Sequence, residues 1–421
     1  MTVYDDLCYA PLDMSHGVPM GMPGYPAPWR FAVEAAIVTI GNLLGTFVLG
    51  NGILGGPRWV DATHDCEGVH WNRGGEPAGR PIAGEANIRL NNDSGAWSPW
   101  ESPFFAPGTM VRMVIGDGTT TLTQFTGTTV VWNEASAGLE AYQWVDITAW
   151  ETMSLLSEVD DHALAGVVGG GDTLTQRVER LLDQADWQFD FEVETAVAAT
   201  FQATDFAQDV LTELYRTVDS VDCVVYPSKH GELVIRDRAT GSGVTWFYQR
   251  PDQHTDAVVT ANDDERILSS VDLARVGGSV VTYTNVGIAG KYQRRATQRT
   301  DMATIAETGD ADLARVAAGM LNRAKQTYRP VTFAVESGQG ANQSTMIVES
   351  DITDRVSLAH GAIVFRGYSI CGVEHDVTVA AAGIYWRASF ALDIEADSTW
   401  SLRTPARVGT AKVGSTLVGI L

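Results

Sequence analysis

The sequence predicts a mainly β fold with a minor α component. We expect two β-barrel or sandwich domains, a small α/β unit between them, and extended terminal arms. Three observations predict this. Short strand-like runs recur at a spacing of roughly 8–12 residues, which is typical of antiparallel barrels and sandwiches. Clusters of Gly, Asn and Asp separate these runs. Two stretches with helical spacing of apolar residues lie together near the middle of the chain.

The composition excludes several classes of protein. The chain has 421 residues and a net charge of −23, from 29 Lys and Arg against 52 Asp and Glu. Its length predicts about two to four domains, because single cores stop growing at roughly 250–300 residues. So acidic a chain is not expected to bind nucleic acid sequence-specifically or to dock on anionic lipid. The four cysteines are too few for a disulfide scaffold. We expect no secretory signal and no stable membrane insertion.

The first 28 residues differ from the rest of the chain. Five prolines alternate with Met and Gly over this stretch. Each proline fixes φ and lacks an N–H donor, so neither a helix nor a central strand is expected. We predict an extended N-terminal arm over residues 1–28, of the kind that orders on a neighbouring subunit. Residues 401–421 are small and apolar without a clear period, and they predict a second extended arm.

Residues 29–157 predict the first β-barrel domain. Ala86–Leu90 alternates apolar and polar residues, the period-two pattern of a half-buried strand. The turn-forming cluster Asn91–Gly95 follows it. The predicted strands are Ala86–Leu90, Val111–Ile115, Gln124–Trp132 and Tyr142–Ala149.

Residues 158–242 predict the small α/β unit. Asp172 is the expected N-cap of a first helix, whose apolar positions fall on one face. A second helix is expected to begin at Thr204 or Asp205. Two strands flanking a turn complete the unit, at Val221–Tyr226 and Glu232–Arg236.

Residues 243–400 predict the second β-barrel domain, which contains one helix. The helix is expected from about Asp310 to Gln326. It must end before Pro330, because proline disfavours a helical conformation in the residue ahead of it. The predicted strands are Ser279–Asn285, Val331–Val335, Ile363–Phe365 and Tyr385–Leu392.

Few residue patterns point to catalysis or to a cofactor. Gly50–Gly55 matches GxGxxG literally, but a turn and a strand follow it where a nucleotide motif needs a helix. His64, Cys66 and His70 lie close enough to share a metal, and strand alternation would place all three on one face. No second ligand pair stands near them in the sequence. We therefore predict no catalytic residue, no cofactor and no metal site.

Several short motifs follow one another in a characteristic order. Trp59–Thr63 has the form W-x-D-x-T, and Ile88–Pro99 has the form I-x-L-x-N-x-x-G-x-W-S-P. Others are Phe125–Gly127, the helix Leu174–Trp187, the hairpin Gly231–Arg238 and the closing strands over Phe365–Leu392. Over about residues 29–400 this series resembles the tail-hub (minor tail) proteins of long-tailed, siphovirus-type phages that infect actinobacteria, which are similar to baseplate hub proteins. The helix departs from the family pattern at Asp186, where the family has glycine.

The resemblance implies a structural role at the tail tip of a virion assembled in the host cytoplasm. A tail hub joins the tail tube and the distal tail ring to tip, fibre or receptor-binding proteins around the DNA channel. The family implies a homotrimeric ring with two similar barrels per chain. Its implied partners are further copies of the chain, the distal tail protein, the tape-measure protein, and the tip, fibre or receptor-binding proteins.

Four aromatic residues are candidates for contacts between subunits: Trp97, Trp100, Phe104 and Phe105. They lie in a turn-rich loop, where the alternative is packing into the barrel core or the hairpin. Two other functions stay open. A component of the adjacent distal tail ring fits the same pattern. A cell-wall carbohydrate hydrolase or binding module could use the twelve tryptophans to stack sugars, although tryptophans are usually largely buried.

Overall fold

The computed structural model is described here over these residues: 18–20, 22, 24–25, 29–37, 58–75, 80–98, 107–117, 119–136, 142–159, 167–195, 197–206, 208–238, 243–249, 259–260, 267–275, 277–292, 296–299, 310–324, 331–338, 340–360, 363–380 and 383–402. Within these ranges the chain is mainly β with a minor α component, so the predicted fold class is confirmed.

The strands and helices have the following bounds. The strands are β1 (Val18–Pro19), β2 (Arg30–Ile37), β3 (Arg58–Asp61), β4 (Cys66–Gly74), β5 (Glu85–Asn91), β6 (Met110–Gly116), β7 (Thr121–Ser136), β8 (Gln143–Glu151), β9 (Phe191–Glu194), β10 (Cys223–Pro227), β11 (Leu233–Asp237), β12 (Thr245–Gln249), β13 (Val259–Thr260), β14 (Ser270–Leu273), β15 (Val281–Thr284), β16 (Ala296–Arg299), β17 (Val331–Glu336), β18 (Arg355–His360), β19 (Ile363–Ala380) and β20 (Gly383–Leu402). The helices are α1 (Leu174–Gln184), α2 (Val210–Asp219), α3 (Val286–Tyr292), α4 (Asp310–Arg323) and α5 (Ala341–Glu349), with a 3₁₀ helix at Thr152–Ser157.

One large sheet dominates the fold. Among the described residues, fourteen strands form it, in the order β1-β2-β6-β7-β8-β5-β4-β19-β20-β17-β13, with β3 beside β2 and β12 joined through β18 to β19. These described pairings make an open path rather than a closed ring. Strands β2–β8, which we call the N-terminal strand group, meet the C-terminal strand group where β4 pairs antiparallel with β19. The C-terminal strand group is β12, β13 and β17–β20, together with α5 and residues 350–354, which link β17 to β18. Strands β14–β16 form a separate three-stranded sheet. The two predicted β regions therefore share one sheet.

The largest hydrophobic core draws on both strand groups. Alternation along β5 turns Ala86, Ile88 and Leu90 inward. Across the seam, the buried rings of Trp71 on β4 and Trp386 on β20 have centroids 5.5 Å apart. Burial of such apolar surface is the main stabilising term in folding, so the seam between the groups is held by core packing as well as by strand pairing.

The first helix of the α/β unit, which comprises α1, β9, α2, β10 and β11, is capped differently from the prediction. Thr173, not Asp172, is the N-cap of α1, and it forms a reciprocal capping box with Gln176. The carboxylate of Asp172 instead accepts from the guanidinium of Arg180 at 3.0 Å. The carboxylate of Asp172, which the sequence predicted to cap the helix, is therefore bound by a neighbouring arginine instead.

The same helix ends in a left-handed residue. Asp186 has φ 49°, and the next backbone N–H, of Trp187, donates to the carbonyl of Leu182 at 3.0 Å. This is the Schellman termination that glycine favours. Asp186 thus adopts the left-handed conformation that glycine favours.

The second helix begins later than predicted. It starts at Val210, because the carboxylate of Asp209 accepts from the N–H of Thr212 at 2.8 Å. Thr204, one of the two predicted starts, instead pairs its backbone with Val168. The prediction of a start at Thr204 or Asp205 is therefore wrong, because Asp209 makes the capping bond and the backbone of Thr204 is bonded to Val168 instead.

Part of the predicted N-terminal arm packs against its own chain. Val18 and Pro19 form an edge strand on β2. Met20 and Tyr25 are buried, and the Tyr25 hydroxyl donates to a Glu349 carboxylate oxygen at 2.7 Å. These residues therefore belong to the core of this chain, and deleting them would expose apolar surface. The predicted C-terminal arm lies outside the described residues apart from its first two, which extend β20.

Two short helices were not predicted. The helix α3 lies in a stretch expected to form strands, and the side chain of Asn285 accepts from the N–H of Ile288 at 3.3 Å to cap it. The helix α5 follows Gly340 without a side-chain cap. The helix α4 begins at Asp310, as predicted.

Candidate functional site

The turn between β10 and β11 inserts between the two strand groups. We call residues 227–231 the junction turn. On the N-terminal side, the hydroxyls of Thr126 and Thr152 donate to the carbonyls of Lys229 and Gly231, at 3.0 and 2.6 Å. On the C-terminal side, the Lys229 ammonium donates to the Val348 carbonyl of α5 at 2.6 Å. The turn therefore contacts both groups at once.

Glycine at position 231 is needed for the close approach of this turn. Gly231 has φ 91°, a left-handed conformation that other residues adopt at a cost. A Cβ atom there would lie 2.9 Å from the methyl carbon of Thr152. Both the backbone conformation and the lack of a side chain thus let the turn seat against the N-terminal strands.

We expect Gly231→Ala to lower the free energy of unfolding by about 2 kcal/mol, because it adds a steric clash to the backbone strain. The matched control is Gly243→Ala, since Gly243 has φ 77° but a Cβ atom added there would meet no other atom within 4 Å. It should cost about 1 kcal/mol. If denaturant titrations show the same loss of unfolding free energy for the two variants, the close contact of Gly231 with Thr152 contributes nothing to stability.

The buried guanidinium of Arg73 on β4 is the centre of the junction. Its Nε donates to the Glu151 carboxylate at the end of β8, at 2.7 Å. One terminal nitrogen donates to Asp351, which follows α5, at 2.6 Å, and the other donates to the carbonyl of Pro227 at 2.6 Å. The side chains of Arg73 and Glu151 are each 1% exposed. One side chain therefore joins both strand groups and the α/β unit.

Strand alternation places these charged residues inward. Along β4, Val69, Trp71 and Arg73 are buried in turn, and along β8 the buried series ends at Glu151. A charged residue at an inward position of an alternating strand is a signal that sequence reading could have used. Asp351 and Lys229 carry no such signal, because neither lies in a strand.

Burial sets the electrostatics of the junction. Burial raises the pKa of Glu151 to about 7, although Arg73 and the N–H of Gly84 (2.7 Å away) favour its charged form. Burial lowers the pKa of Lys229 to about 8. The pKa of Asp351 is lowered: burial opposes its ionisation, but the charges of Arg73 and Lys229 outweigh burial. Two cations thus face two acidic groups, with Arg73 and Glu151 fully buried and Lys229 and Asp351 half-buried.

The raised pKa of Glu151 predicts a pH dependence of stability. Between pH 4.5, its ordinary pKa, and about 7, the unfolded chain loses this proton while the folded chain keeps it. Folding then takes up a proton, so stability falls as pH rises through this window. We expect wild type to lose on the order of 2 kcal/mol relative to Glu151→Gln across it. Denaturant titrations of both proteins at several pH values test this, and parallel profiles would contradict it.

A second cluster ties the α/β unit to the C-terminal strand group. Arg236 on β11 donates to the hydroxyls of Tyr226 and Thr353, at 2.5 and 2.8 Å. Its other nitrogens bind the Glu194 carboxylate of β9, both at 2.6 Å. Bidentate pairs of this kind fix orientation as well as distance. The α/β unit contains a three-stranded sheet with the order β10-β11-β9. These contacts therefore fix the orientation of that sheet relative to the segment that follows α5.

Outer contacts complete the seating of the α/β unit. On α2, the Tyr215 hydroxyl donates to the Pro81 carbonyl at 2.7 Å, and Asp219 pairs with Arg80 at 2.6 Å. On the other side, Arg323 of α4 donates to Asp222 at 3.0 Å. The unit is thus held by the segment between β4 and β5 and by α4. Together, these hydrogen bonds and ion pairs fix the positions of the two strand groups and the α/β unit relative to one another.

The predicted interface residues fall in different places. Trp97 is 4% exposed, and its indole N–H donates to Asp65 at 2.7 Å. The indole of Trp132 donates to the Trp97 carbonyl at 2.9 Å. Within this chain, then, Trp97 packs in the core, and its predicted contact with another subunit stays a prediction. Trp100, Phe104 and Phe105 lie outside the described residues.

The group His64, Cys66 and His70 does not share one strand face. His64 lies in the turn before β4, Cys66 is buried, and His70 is on the outward face. A bulge between Cys66 and Gly68 shifts the alternation, which makes the expectation of a common face wrong. Burial also raises the pKa of the Cys66 thiol to about 12, and a neutral thiol is a poor metal ligand.

Within the described ranges, no helix is both long and apolar enough to cross a bilayer. In sequence, no protein-family model and no curated protein matches the chain.

Several solved structures do share its fold. A 43 kDa tail protein of prophage MuSo2 from Shewanella oneidensis has a TM-score of 0.55 at 14% identity, over 87% of this chain and 97% of that one. A tail protein from Neisseria meningitidis MC58 has a TM-score of 0.54 at 14% identity, over 86% and 96%. The prophage tail protein gp18 from Listeria monocytogenes EGD-e has a TM-score of 0.50 at 13% identity, over 85% and 94%. At such low identity these likenesses show a common fold.

Proposed function

We propose that this chain is a structural protein of a phage tail and that it acts as a tail hub. The observation that carries the proposal is the extent of the shared fold: the likeness to the MuSo2 tail protein covers 87% of this chain and 97% of that one. Fold alone does not determine function, so the junction supplies the second argument. Its contacts hold parts of the molecule together and use ionised groups for that purpose.

The mechanism of a hub in this proposal is rigid coupling. A load applied to one strand group reaches the other through the β4–β19 pairing and through Arg73. Interiors packed at crystal-like density transmit strain rather than absorb it. The junction turn lies between the two strand groups and contacts both. It therefore opposes rotation of one group relative to the other about the β4–β19 pairing. No residue is catalytic in this mechanism.

The proposed place of the chain is the tip of the virion tail, around the DNA channel. There it would join the tail tube and distal tail ring to tip, fibre or receptor-binding proteins, below the tape-measure protein. In a homotrimeric ring, each copy of the chain would contribute two β domains, over residues 29–157 and 243–400. Residues 158–242 form the coupling unit in this division. The arms are residues 1–28, of which Met20 and Tyr25 pack in the core of the same chain, and residues 401–421. Trp100, Phe104 and Phe105 are proposed contacts between neighbouring subunits.

Imaging tests this proposal directly. Particles of the phage that encodes the chain are labelled with an antibody against it and examined by electron microscopy, and the native mass of the purified assembly is measured. We expect label at the tail tip and a mass of three chains. Label on a ring one step nearer the tube would replace the hub with a distal tail ring component. Label on the capsid, or none on intact particles, would overturn the tail proposal.

The rival enzymatic function has its own test. Purified chain is incubated with bacterial cell-wall material, and soluble fragments are measured over time. A structural protein releases none above background. Sustained release that is lost on substitution of a carboxylate would favour the carbohydrate hydrolase.

A further inference from the structure

A buried histidine lies at the seam between the two strand groups. His375 on β19 is 2% exposed, and in the strand register it lies opposite Trp71 on β4 and Ala388 on β20. Its ring stacks on the Trp71 ring with centroids 4.6 Å apart, and the ring of Trp386 on β20 lies edge-on to it at 5.7 Å. The imidazole therefore packs between strands of both groups at the place where they join.

One hydrogen bond fixes the protonation state of this ring. The indole N–H of Trp386 donates to Nδ1 of His375 at 3.1 Å. An indole nitrogen only donates, so Nδ1 must be unprotonated in order to accept. A second proton on the imidazole would go to Nδ1, and two N–H groups would then face each other. The closed seam thus requires the neutral ring.

The charged groups that act on His375 also oppose a second proton. Arg73 on β4 and Lys229 in the junction turn are cations, and His70 on β4 adds a third positive charge when it is protonated. Burial and these charges hold the pKa of His375 well below its ordinary value of 6.5. Stacking on Trp71 favours a cation, but the loss of hydration in the core disfavours it more strongly.

The carboxylates near this histidine are engaged elsewhere. Glu374 and Asp376, its neighbours along β19, are more than half exposed on the outward face of the strand. On the inner side, Glu151 and Asp351 both accept from the guanidinium of Arg73. A protonated imidazole would therefore be a cation in the core without a carboxylate beside it among the described residues.

We propose that His375 is an acid-sensitive lock on the seam: protonation of its ring breaks the hydrogen bond with Trp386 and opens the pairing of β4 with β19. The neutral ring holds the two strand groups together, and the charged ring weakens their contact. The α/β unit has a hydrophobic core of its own, so it stays folded when the seam opens. This inference does not depend on the proposed function.

The direction of the pH effect follows from proton binding. Below pH 6.5, its ordinary pKa, the imidazole of an open seam binds a proton that the closed seam excludes. Closing then releases a proton, so the closed state loses stability as pH falls below 6.5 toward the lowered pKa. One proton changes the opening equilibrium by about tenfold per pH unit. The effect of Glu151 has the opposite sign, so the two groups can be distinguished.

Hydrogen exchange of the wild-type chain tests this lock. Amide exchange is followed by mass spectrometry from pH 6.5 down to about 5.5 and is corrected for the intrinsic pH dependence of exchange. We expect opening of the seam, measured at amides in residues 69–73 of β4 and 373–377 of β19, to increase about tenfold. Amides of β10 and β11, in the α/β unit, should change by less than about twofold.

Two variants assign the effect to one side chain. In His375→Asn, the amide oxygen can accept from Trp386 in place of Nδ1, but the side chain cannot take up a proton. Its increase in seam opening over the same pH range should be less than about twofold. The matched control is His70→Asn, which changes an outward-facing histidine on the same seam. It should keep the increase of about tenfold.

Three results would overturn the inference. The first is no increase in seam opening in wild type. The second is an equal increase at β10 and β11, which would mean that acid acts on the whole fold. The third is an equal increase in His375→Asn, which would assign the effect to another group, such as His230 in the junction turn, whose pKa burial also lowers. The first two results need no variant, so they decide the matter even where His375→Asn fails to fold.

Discussion

Replacing Arg73 by methionine is expected to lower the free energy of unfolding by about 4 kcal/mol, the largest effect we predict. The substitution removes a cation whose side chain is 1% exposed and leaves Glu151, equally buried, without its charged partner. It also removes the donors to Asp351 and to the Pro227 carbonyl. Denaturant titration followed by circular dichroism measures the loss.

The double variant Arg73→Met/Glu151→Gln separates lost pairing from lost packing. The glutamine removes the buried carboxyl group, which without Arg73 stays ionised or takes up a proton only at a cost in free energy. It still offers an oxygen to the N–H of Gly84, the donor to Glu151 in wild type. We expect the double variant to recover about half of the loss, because a buried carboxyl group without a charged partner costs more than a neutral amide. A loss below about 1 kcal/mol for Arg73→Met alone would mean that the guanidinium does not hold the junction.

Replacing Arg177 by methionine is expected to lower the free energy of unfolding by about 3 kcal/mol, because half-buried carbonyl groups lose their donor and a buried guanidinium is lost from between aromatic rings. Arg177 is fully buried on α1, where one terminal nitrogen donates to the carbonyls of both Gly169 and Gln202, at 2.7 and 2.8 Å. Its guanidinium carbon lies 5.3 and 5.2 Å from the ring centres of Phe201 and Phe206. The substitution therefore weakens the packing of α1 against Gly169 and against the segment from Phe201 to Phe206.

Arg180→Met is the matched control for this variant. Arg180 lies on the same helix and also binds Asp172, at 3.0 Å, but its side chain is 38% exposed. Exposed ion pairs contribute little, so we expect a loss below about 1 kcal/mol. Thermal unfolding of both variants distinguishes the two positions. Similar shifts in Tm for the two variants would contradict the inference that the buried contacts of Arg177 stabilise the α/β unit.

Local motifs allowed much of the fold to be predicted. The cluster Asn91–Gly95 was expected to form a turn after the strand Ala86–Leu90, and the residues of this stretch make the turn themselves. The buried amide of Asn92 donates to the Ser98 hydroxyl at 2.9 Å and accepts from the N–H of Trp97 at 2.9 Å. Because these contacts lie within seven positions of sequence, the local sequence pattern is enough to predict the turn. The same holds for α4, whose start at Asp310 was predicted.

The junction could not be predicted, because its contacts join distant residues. Arg73 meets Asp351 across 278 positions and Pro227 across 154. Nothing in the local sequence around Lys229 indicates that its ammonium reaches the Val348 carbonyl. Capping was predicted incompletely for a related reason. Asp172 is a good cap by residue type, but tertiary contacts with Arg180 compete for its carboxylate.

The pairing of β4 with β19 has a consequence for biosynthesis. His70 and Asp376 lie opposite each other although 306 positions separate them. While the ribosome makes the intervening chain, β4 has an open edge toward its later neighbour. Open strand edges promote aggregation, and distant pairings form slowly. Nascent chains truncated between β8 and β19 should therefore depend on chaperones that shield this edge until translation is nearly complete.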